Sequence, residues 1–191
     1  PQLPPMNLSP RPSLRETTTF LRPPDVAIIG AGLTGLQAAL ELKRKNAGWD
    51  VLVIERAPIP LGASTRNAGF ACFGGPTELL ADIDAYGEAS TLDTVRQRYA
   101  GIQALEKHFA HRDIDWEKHG GFEVVDEPAT AEMVRDRLPK LNALLREATG
   151  LANTWSVVEN SLAVPLSLHN PLEAQLPPGK LVSLLMADCH A

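Results

Sequence analysis

The chain has 191 residues, of which 44% are hydrophobic and 21% charged, enough for one or two soluble domains of ordinary size. A net charge of −5 argues against non-specific nucleic-acid binding, which needs basic surface, and no apolar run approaches the roughly 18–20 residues that span a bilayer. Cys72 and Cys189 are too few for a disulfide framework and lack metal-ligand spacing, so the expected setting is reducing and cytoplasmic.

Seven of the 16 prolines fall in the first 24 residues, which read as a flexible N-terminal arm (1–24) with little apolar surface to offset the entropy of ordering. No apolar h-region or cleavage site marks a targeting peptide, although Arg11, Arg15 and Arg22 leave organellar targeting as an alternative. Val26–Ile29 is a continuous apolar run, the pattern of a strand buried on both faces. Leu33, Leu36, Ala39 and Leu40 then recur at helical spacing as far as Asn46, and Val51–Ile54 is a second such strand. Strand, helix, strand at this spacing predicts a right-handed crossover and a parallel pair, the start of an α/β, Rossmann-type fold.

Gly30-Ala31-Gly32-Leu33-Thr34-Gly35 directly follows the first strand and opens the helix, matching G-x-G-x-x-G in the context that gives it meaning. Gly30 permits the tight turn, Gly32 lets the backbone approach a pyrophosphate, and Gly35 lets helix and strand pack closely. The helix N-terminus presents N–H groups and a positive dipole end to the phosphates. Glu55, twenty residues beyond Gly35, ends the second strand where a ribose-binding acid is expected. A carboxylate there accepts from both ribose hydroxyls and repels a 2′-phosphate, which disfavours NADP. These residues predict a dinucleotide site without choosing between FAD and NAD.

A second Gly-rich element follows at once. Glu55-Arg56 is followed by Gly62-Ala63-Ser64-Thr65-Arg66-Asn67-Ala68-Gly69, in which small residues allow close approach and Ser64, Arg66 and Asn67 offer polar contacts. In this order of motifs the chain resembles the FAD-dependent oxidoreductases of the glycine and D-amino-acid oxidase (DAO) family. The resemblance implies FAD as cofactor, with the 62–69 loop running along the pyrophosphate and carrying Ala68-Gly69-Phe70 toward the isoalloxazine. It is sharp at 25–75 and continues in motif order to the end of the chain.

Beyond residue 75, helices are predicted over Thr77–Tyr86, Thr91–His111 and Thr130–Ala148, with Pro139 breaking or kinking the last. Strands are predicted at Phe122–Val125, Trp155–Val158 and Leu162–Leu168, the last demoted to a sheet edge by Pro165. Residues 25–80 thus form the first segment of an FAD-binding domain, 81–172 a second α+β substrate or cap domain, and 173–191 the return to the first. Glu173-Ala174-Gln175-Leu176-Pro177-Pro178-Gly179-Lys180-Leu181 resembles the family's re-entry segment. The chain lacks an initiator Met and reaches Ala191 inside a predicted helix, so it is expected to be the N-terminal portion of a longer protein, with Met6 as an alternative internal start.

His108, His111 and His119 lie near Asp113, Asp115 and Glu117 but fit no standard ligand spacing, so no metal is expected. Cys72 reads as a buried packing residue rather than a covalent flavin link, and Cys189 likewise; Trp116 and Trp155 read as core or interface, and Trp49 as a surface anchor. The resemblance implies an enzyme that oxidises a C–N bond of an amino acid or related amine by hydride transfer to flavin N5, with dioxygen as the expected acceptor. The alternatives are a flavin hydroxylase, another NAD(P)H-dependent flavoprotein, or a non-catalytic FAD-binding fragment. No catalytic residue is named, because in the family the C-terminal half completes the pockets.

Overall fold

The computed structural model describes residues 13–19, 22–159 and 164–190. In chain order the elements begin with α1 (Leu14–Thr19), β1 (Val26–Ile29), α2 (Leu33–Lys45), β2 (Val51–Ile54), a 3-10 turn (Ala63–Thr65), β3 (Phe70–Ala71) and α3 (Pro76–Tyr86). They continue with α4 (Glu88–His108), β4 (Gly121–Val125), α5 (Pro128–Thr149), β5 (Ser156–Val157), β6 (Leu166–Asn170), β7 (Ala174–Gln175) and α6 (Pro178–His190). No helix among the described residues is long and apolar enough to cross a membrane. The chain divides into two compact units, residues 1–62 with 184–191, and residues 63–183.

In the first unit β1 and β2 pair in parallel, Val26 opposite Val51 through Ile29 opposite Ile54, with α2 as the crossover. Leu36 and Ala39 are the buried residues of α2, one helical turn apart and so on one face. At the far end of this unit Leu185 is buried, and the Cys189 thiol lies 3.7 Å from the Leu36 carbonyl. The strands were expected to be buried on both faces, and they are not. Ile29 is 89% exposed, and Leu52 and Ile54 are also exposed. Apolar composition reports what a strand can bury, whereas this two-stranded sheet leaves one face uncovered among the described residues. Within the N-terminal arm, residues 14–19 form a turn and a half of helix. Residues 1–12 and 20–21 lie outside the described set.

The second unit is α+β. Helices α3, α4 and α5 pack on one another, with Leu79, Val95, Val134, Leu141 and Leu145 buried in their core. Glu127 starts α5 by accepting the N–H of Ala129 at 3.1 Å and that of Thr130 at 2.5 Å, and Gly150 ends it in the left-handed conformation. Pro139 does not break this helix. It sits on the exposed face, where water can take up the carbonyl left without an N–H, while Leu138, Leu141 and Leu145 hold the opposite face in the core.

Strands β4, β6 and β5 form an antiparallel sheet in that order, so β6 is central and not an edge. Pro165 precedes the strand, and its missing N–H therefore costs no ladder bond; Leu166, Ser167 and Leu168 are buried. The predicted span reached back to Leu162, and residues 160–163 lie outside the described set. A separate two-residue ladder joins β3 to β7, Phe70 opposite Gln175 and Ala71 opposite Ala174.

Asn142 of α5 ties the helical layer to the chain leading into β5. Its Nδ2 donates to the Trp155 carbonyl at 2.8 Å and its Oδ1 accepts the Trp155 N–H at 3.0 Å, both buried. Truncating it strands two buried backbone groups. Asn142→Ala is expected to lower unfolding free energy by about 2–4 kcal/mol, read from urea denaturation; a loss under about 0.5 kcal/mol would show that the clamp is dispensable.

Candidate cofactor site

Within the first unit the structure brings the glycine turn and Glu55 together. Gly30 has φ +102°, a conformation open chiefly to glycine, and its N–H donates to the Ile54 carbonyl at 2.7 Å, so the turn is tied to the end of β2. A β-carbon on Gly35 would stand 2.0 Å from the Gly30 carbonyl oxygen. The third glycine is therefore required by the turn itself. Gly32 is the N-cap of α2 with no side-chain cap, and the first turn of α2 carries no acid. A helix start with those properties favours an anion.

Glu55 is held at the mouth of this turn. Its Oε2 accepts the Ala31 N–H at 2.9 Å and its Oε1 the Ala57 N–H at 3.2 Å. The Ala31 N–H, then that of Ala57, hold the carboxyl below the usual range, so Glu55 is an anion at neutral pH. A carboxylate has about four acceptor positions, leaving capacity for ribose hydroxyls. Leu33 and Thr34 open α2 beside it, and the exposed Arg56 guanidinium makes no ion pair among the described residues. Gly62, the last residue of this unit, has open space where a β-carbon would stand, so close packing does not demand glycine there.

In the second unit, Ala63, Ser64 and Thr65 form the 3-10 turn, and Asn67 staples it. Its Nδ2 donates to the carbonyls of Ala63 at 3.0 Å and Ser64 at 3.1 Å, while its Oδ1 accepts the Gly69 N–H at 2.8 Å. The Asn67 amide is thus committed to the loop, a role that spacing alone does not reveal. Gly69 has φ +79°, and a β-carbon there would stand 2.1 Å from the Leu176 carbonyl oxygen; its own carbonyl accepts the Leu176 N–H at 3.0 Å. Arg66 and Ala68 are exposed, and the Arg66 guanidinium makes no ion pair among the described residues. The 62–69 element therefore has a load of its own, locking the start of β3 to the segment entering α6.

The acids near the histidines are engaged elsewhere: Asp113 and Asp115 pair with Lys180 at 3.0 and 2.8 Å, and Glu117 accepts the Gln175 Nε2 at 2.6 Å. Among the described residues no three His, Cys, Asp or Glu side chains are grouped to hold a metal ion.

The sequence reading missed a pocket of about 510 Å³ inside the second unit, lined by Phe70, Cys72, Glu78, Phe122, Glu123, Trp155 and Glu173 among others. Cys72 was expected to be buried and is exposed here, although its thiol is shielded enough that burial, then Glu173 and Glu78, push its pKa up. Glu173 is only 7% exposed. Its Oε1 accepts the Phe73 N–H at 3.3 Å, and the Asn170 amide lies alongside without a hydrogen bond of normal geometry. Burial outweighs both contacts and raises the carboxyl to about 7. The available signals were the pairs Gly74-Gly75 and Gly120-Gly121, each beside a later-facing acid.

A family model described as FAD dependent oxidoreductase (DAO) matches residues 25–191. The chain belongs to that family. The family is FAD-dependent, and the fold is the α/β FAD-binding type. Over 101 residues the chain is 33% identical to gamma-glutamylputrescine oxidoreductase of Escherichia coli (strain K12), a match covering 51% of this chain and 22% of that protein. Glycine oxidase from Geobacillus kaustophilus superposes with a TM-score of 0.59 at 19% identity, covering 87% of this chain and 44% of that one. Iminodiacetate oxidase from Chelativorans sp. BNC1 gives 0.57 at 21%, covering 86% and 44%. At these identities the structures show the fold, and the matched chain spans less than half of each of these relatives.

Two measurements test the site. Gly35→Val cannot be built without displacing the Gly30 carbonyl, so FAD retention on gel filtration should be lost; Glu55→Gln should weaken FAD binding about tenfold in equilibrium dialysis, the scale of one charge-assisted hydrogen bond. Retention unchanged in both variants would remove the ADP portion from this turn. The second measurement concerns Glu173, whose carboxyl is raised from 4.5 to about 7. Between those values the folded state keeps a proton that the unfolded chain has released, so its contribution is full below pH 4.5 and lost as pH rises through 7. Relative to Glu173→Gln, the wild type should lose about 2–3 kcal/mol between pH 4.5 and 8 by denaturant titration; parallel curves would contradict the burial of this carboxyl.

Proposed function

We propose that this chain supplies the ADP-binding side of an FAD-dependent enzyme that oxidises a C–N bond of an amino acid or related amine. The observation that carries the reading is the Glu55 carboxylate held by the Ala31 N–H across the mouth of the glycine turn. The match of 25–191 to the FAD dependent oxidoreductase model supports the flavin. The substrate class is supported by relatives named for glycine, iminodiacetate and gamma-glutamylputrescine, each of which carries a C–N bond.

On this reading 25–80 and 173–191 belong to the FAD-binding domain and 81–172 to the substrate domain. Gly30, Gly32, Leu33, Thr34 and Gly35 present backbone N–H groups to the pyrophosphate, and Glu55 accepts from the ribose hydroxyls. Arg56 and Arg66 are exposed cations suited to phosphate or flavin oxygens. Gly62, Ala63, Ser64, Ala68 and Gly69 keep side-chain bulk out of the ligand's path, and Asn67 fixes the loop that does so. When bound, FAD supplies the redox chemistry by accepting a hydride at N5 from the carbon attached to nitrogen. Dioxygen is the proposed final acceptor.

The test is spectroscopic. With FAD added, the protein's flavin band should bleach anaerobically with glycine, a secondary amine or a diamine and without NAD(P)H, and air should restore it with release of hydrogen peroxide. Bleaching by NAD(P)H alone would replace this reading with a hydroxylase or reductase. A response to glycerol 3-phosphate in place of amines would reassign the substrate class, since a glycerophosphate oxidase shares the fold.

A further inference from the structure

The first turn of α6 carries the wrong charge for a helix start. A helix N-terminus is its positive end and favours acids, yet this turn holds no acid and has Lys180 instead. The compensation comes from a loop far earlier in the chain. Lys180 Nζ donates to Asp115 Oδ1 at 2.8 Å and pairs with Asp113 Oδ2 at 3.0 Å. The ammonium holds the Asp113 carboxyl below its usual range, so that pair is ionic at neutral pH. Asp115 has φ +51°, a left-handed conformation that no other non-glycine residue adopts among those described. Asp113 Oδ1 secures this turn by accepting the Asp115 N–H at 3.2 Å. Backbone of this kind persists where its surroundings require it.

Lys180 is stiffly connected to the 62–69 loop. Pro177 and Pro178 lie between it and Leu176, and two consecutive prolines fix their own φ and restrict the residue before each; Gly179 is already inside the helix. The Leu176 N–H donates to the Gly69 carbonyl at 3.0 Å, and the Leu176 carbonyl and Pro178 ring take the space beside Gly69 where a side chain would stand. The same segment is held again one residue earlier. Glu117 and Gln175 exchange both backbone hydrogen bonds at 2.9 Å, and Gln175 Nε2 donates to Glu117 Oε2 at 2.6 Å. Residues 113–117 therefore anchor the chain on either side of Leu176, the residue that meets Gly69. Ala68 of the loop and Asp115 of the anchor line one open cleft of about 350 Å³, together with Gln175 and Pro177.

We propose that Lys180 is a positioning residue for the cofactor: paired with Asp113 and Asp115 it fixes the entry of α6, and through Leu176 it holds the Gly69 end of the 62–69 loop in the form that meets the flavin. This rests on the reading of that loop as part of the FAD site. Lys180 acts through Leu176, Gly69 and the Asn67 amide rather than by contact with the flavin. Both aspartates are exposed, so the ion pairs add little to global stability. A surface loop opens at far lower free energy than a core, and a small loss of anchoring is felt there first. The effect is local: a looser loop in an otherwise unchanged fold.

The test compares wild type with three variants. Lys180→Met keeps the stem and removes the charge, and Lys180→Arg restores the pairing. The double variant Asp113→Asn, Asp115→Asn removes the charge from the other side, with an asparagine that tolerates the left-handed conformation. In the FAD-free protein, Gly69 amide hydrogen exchange should quicken about fivefold in Lys180→Met and in the double variant, the scale of lost exposed ion pairs. Exchange of the Leu141 and Leu145 amides and the urea midpoint should stay at wild-type values. FAD affinity by equilibrium dialysis should fall by a similar factor, with an altered visible circular dichroism of the bound flavin, and Lys180→Arg should recover both. Unchanged Gly69 exchange in both charge-removing variants, or quickening spread evenly over the core amides, would overturn the proposal. So would quickened Gly69 exchange in protein whose FAD affinity and dichroism do not move, and this result would leave the flavin reading standing. Wild-type protein that retains no FAD would remove that reading, and the positioning role with it.

Discussion

Three places in this chain meet one constraint most closely: another atom stands within 2.1 Å of where a β-carbon would be. At Gly35 it is the Gly30 carbonyl, at Gly69 the Leu176 carbonyl, and at Gly121 the Glu173 carboxylate. The first lets α2 begin against the end of β1, the second joins the 62–69 loop to the segment leading into α6, and the third admits an acid into a wall. In each case the omitted methyl group permits a polar atom to approach backbone at a distance no other residue allows. Glycine turn, loop anchor and pocket thus depend on the same elementary exclusion, applied at three separated points of the sequence.

The carboxylates sort by what meets them. Glu55 accepts two backbone N–H groups, Glu127 accepts the Thr130 hydroxyl and two backbone N–H groups, and both are held below the ordinary range. Glu123 takes the N–H and hydroxyl of Thr77 at a helix start. Glu173 has lost water and gained a single N–H, so desolvation dominates and its proton is retained to about pH 7. Backbone amides make Glu55 a structural anion, and the Thr130 hydroxyl together with backbone amides does the same for Glu127.

What the sequence discloses follows from the range over which each signal acts. The Gly30–Gly35 turn, Glu55, α2 and the helices α3 to α5 are visible because spacing within one segment determines them. Pro165 was misread because proline matters through where its missing N–H would point, and that requires knowing where the strand begins. The exposure of Ile29, Leu52 and Ile54 was misread because apolar runs do not state what covers them. Asn67 looked like a ligand contact, and its amide is used within its own loop. The acidic pocket was not visible at all: Cys72, Glu123, Trp155 and Glu173 are scattered over a hundred residues and meet only through antiparallel pairing.

The β1–β2 pair also has a consequence for how this polypeptide behaves in concentrated solution. It presents two unpaired sheet edges among the described residues, beside a face that includes Ile29, Leu52 and Ile54. Short apolar strands with open edges template the addition of further strands. The same continuous apolar composition that suits these residues to a longer parallel sheet makes them self-adhesive while it is two strands wide. Insolubility of this polypeptide, where it occurs, should therefore begin at Val26–Ile29 and Val51–Ile54, and a lysine on the outward-facing position of either strand is the economical remedy.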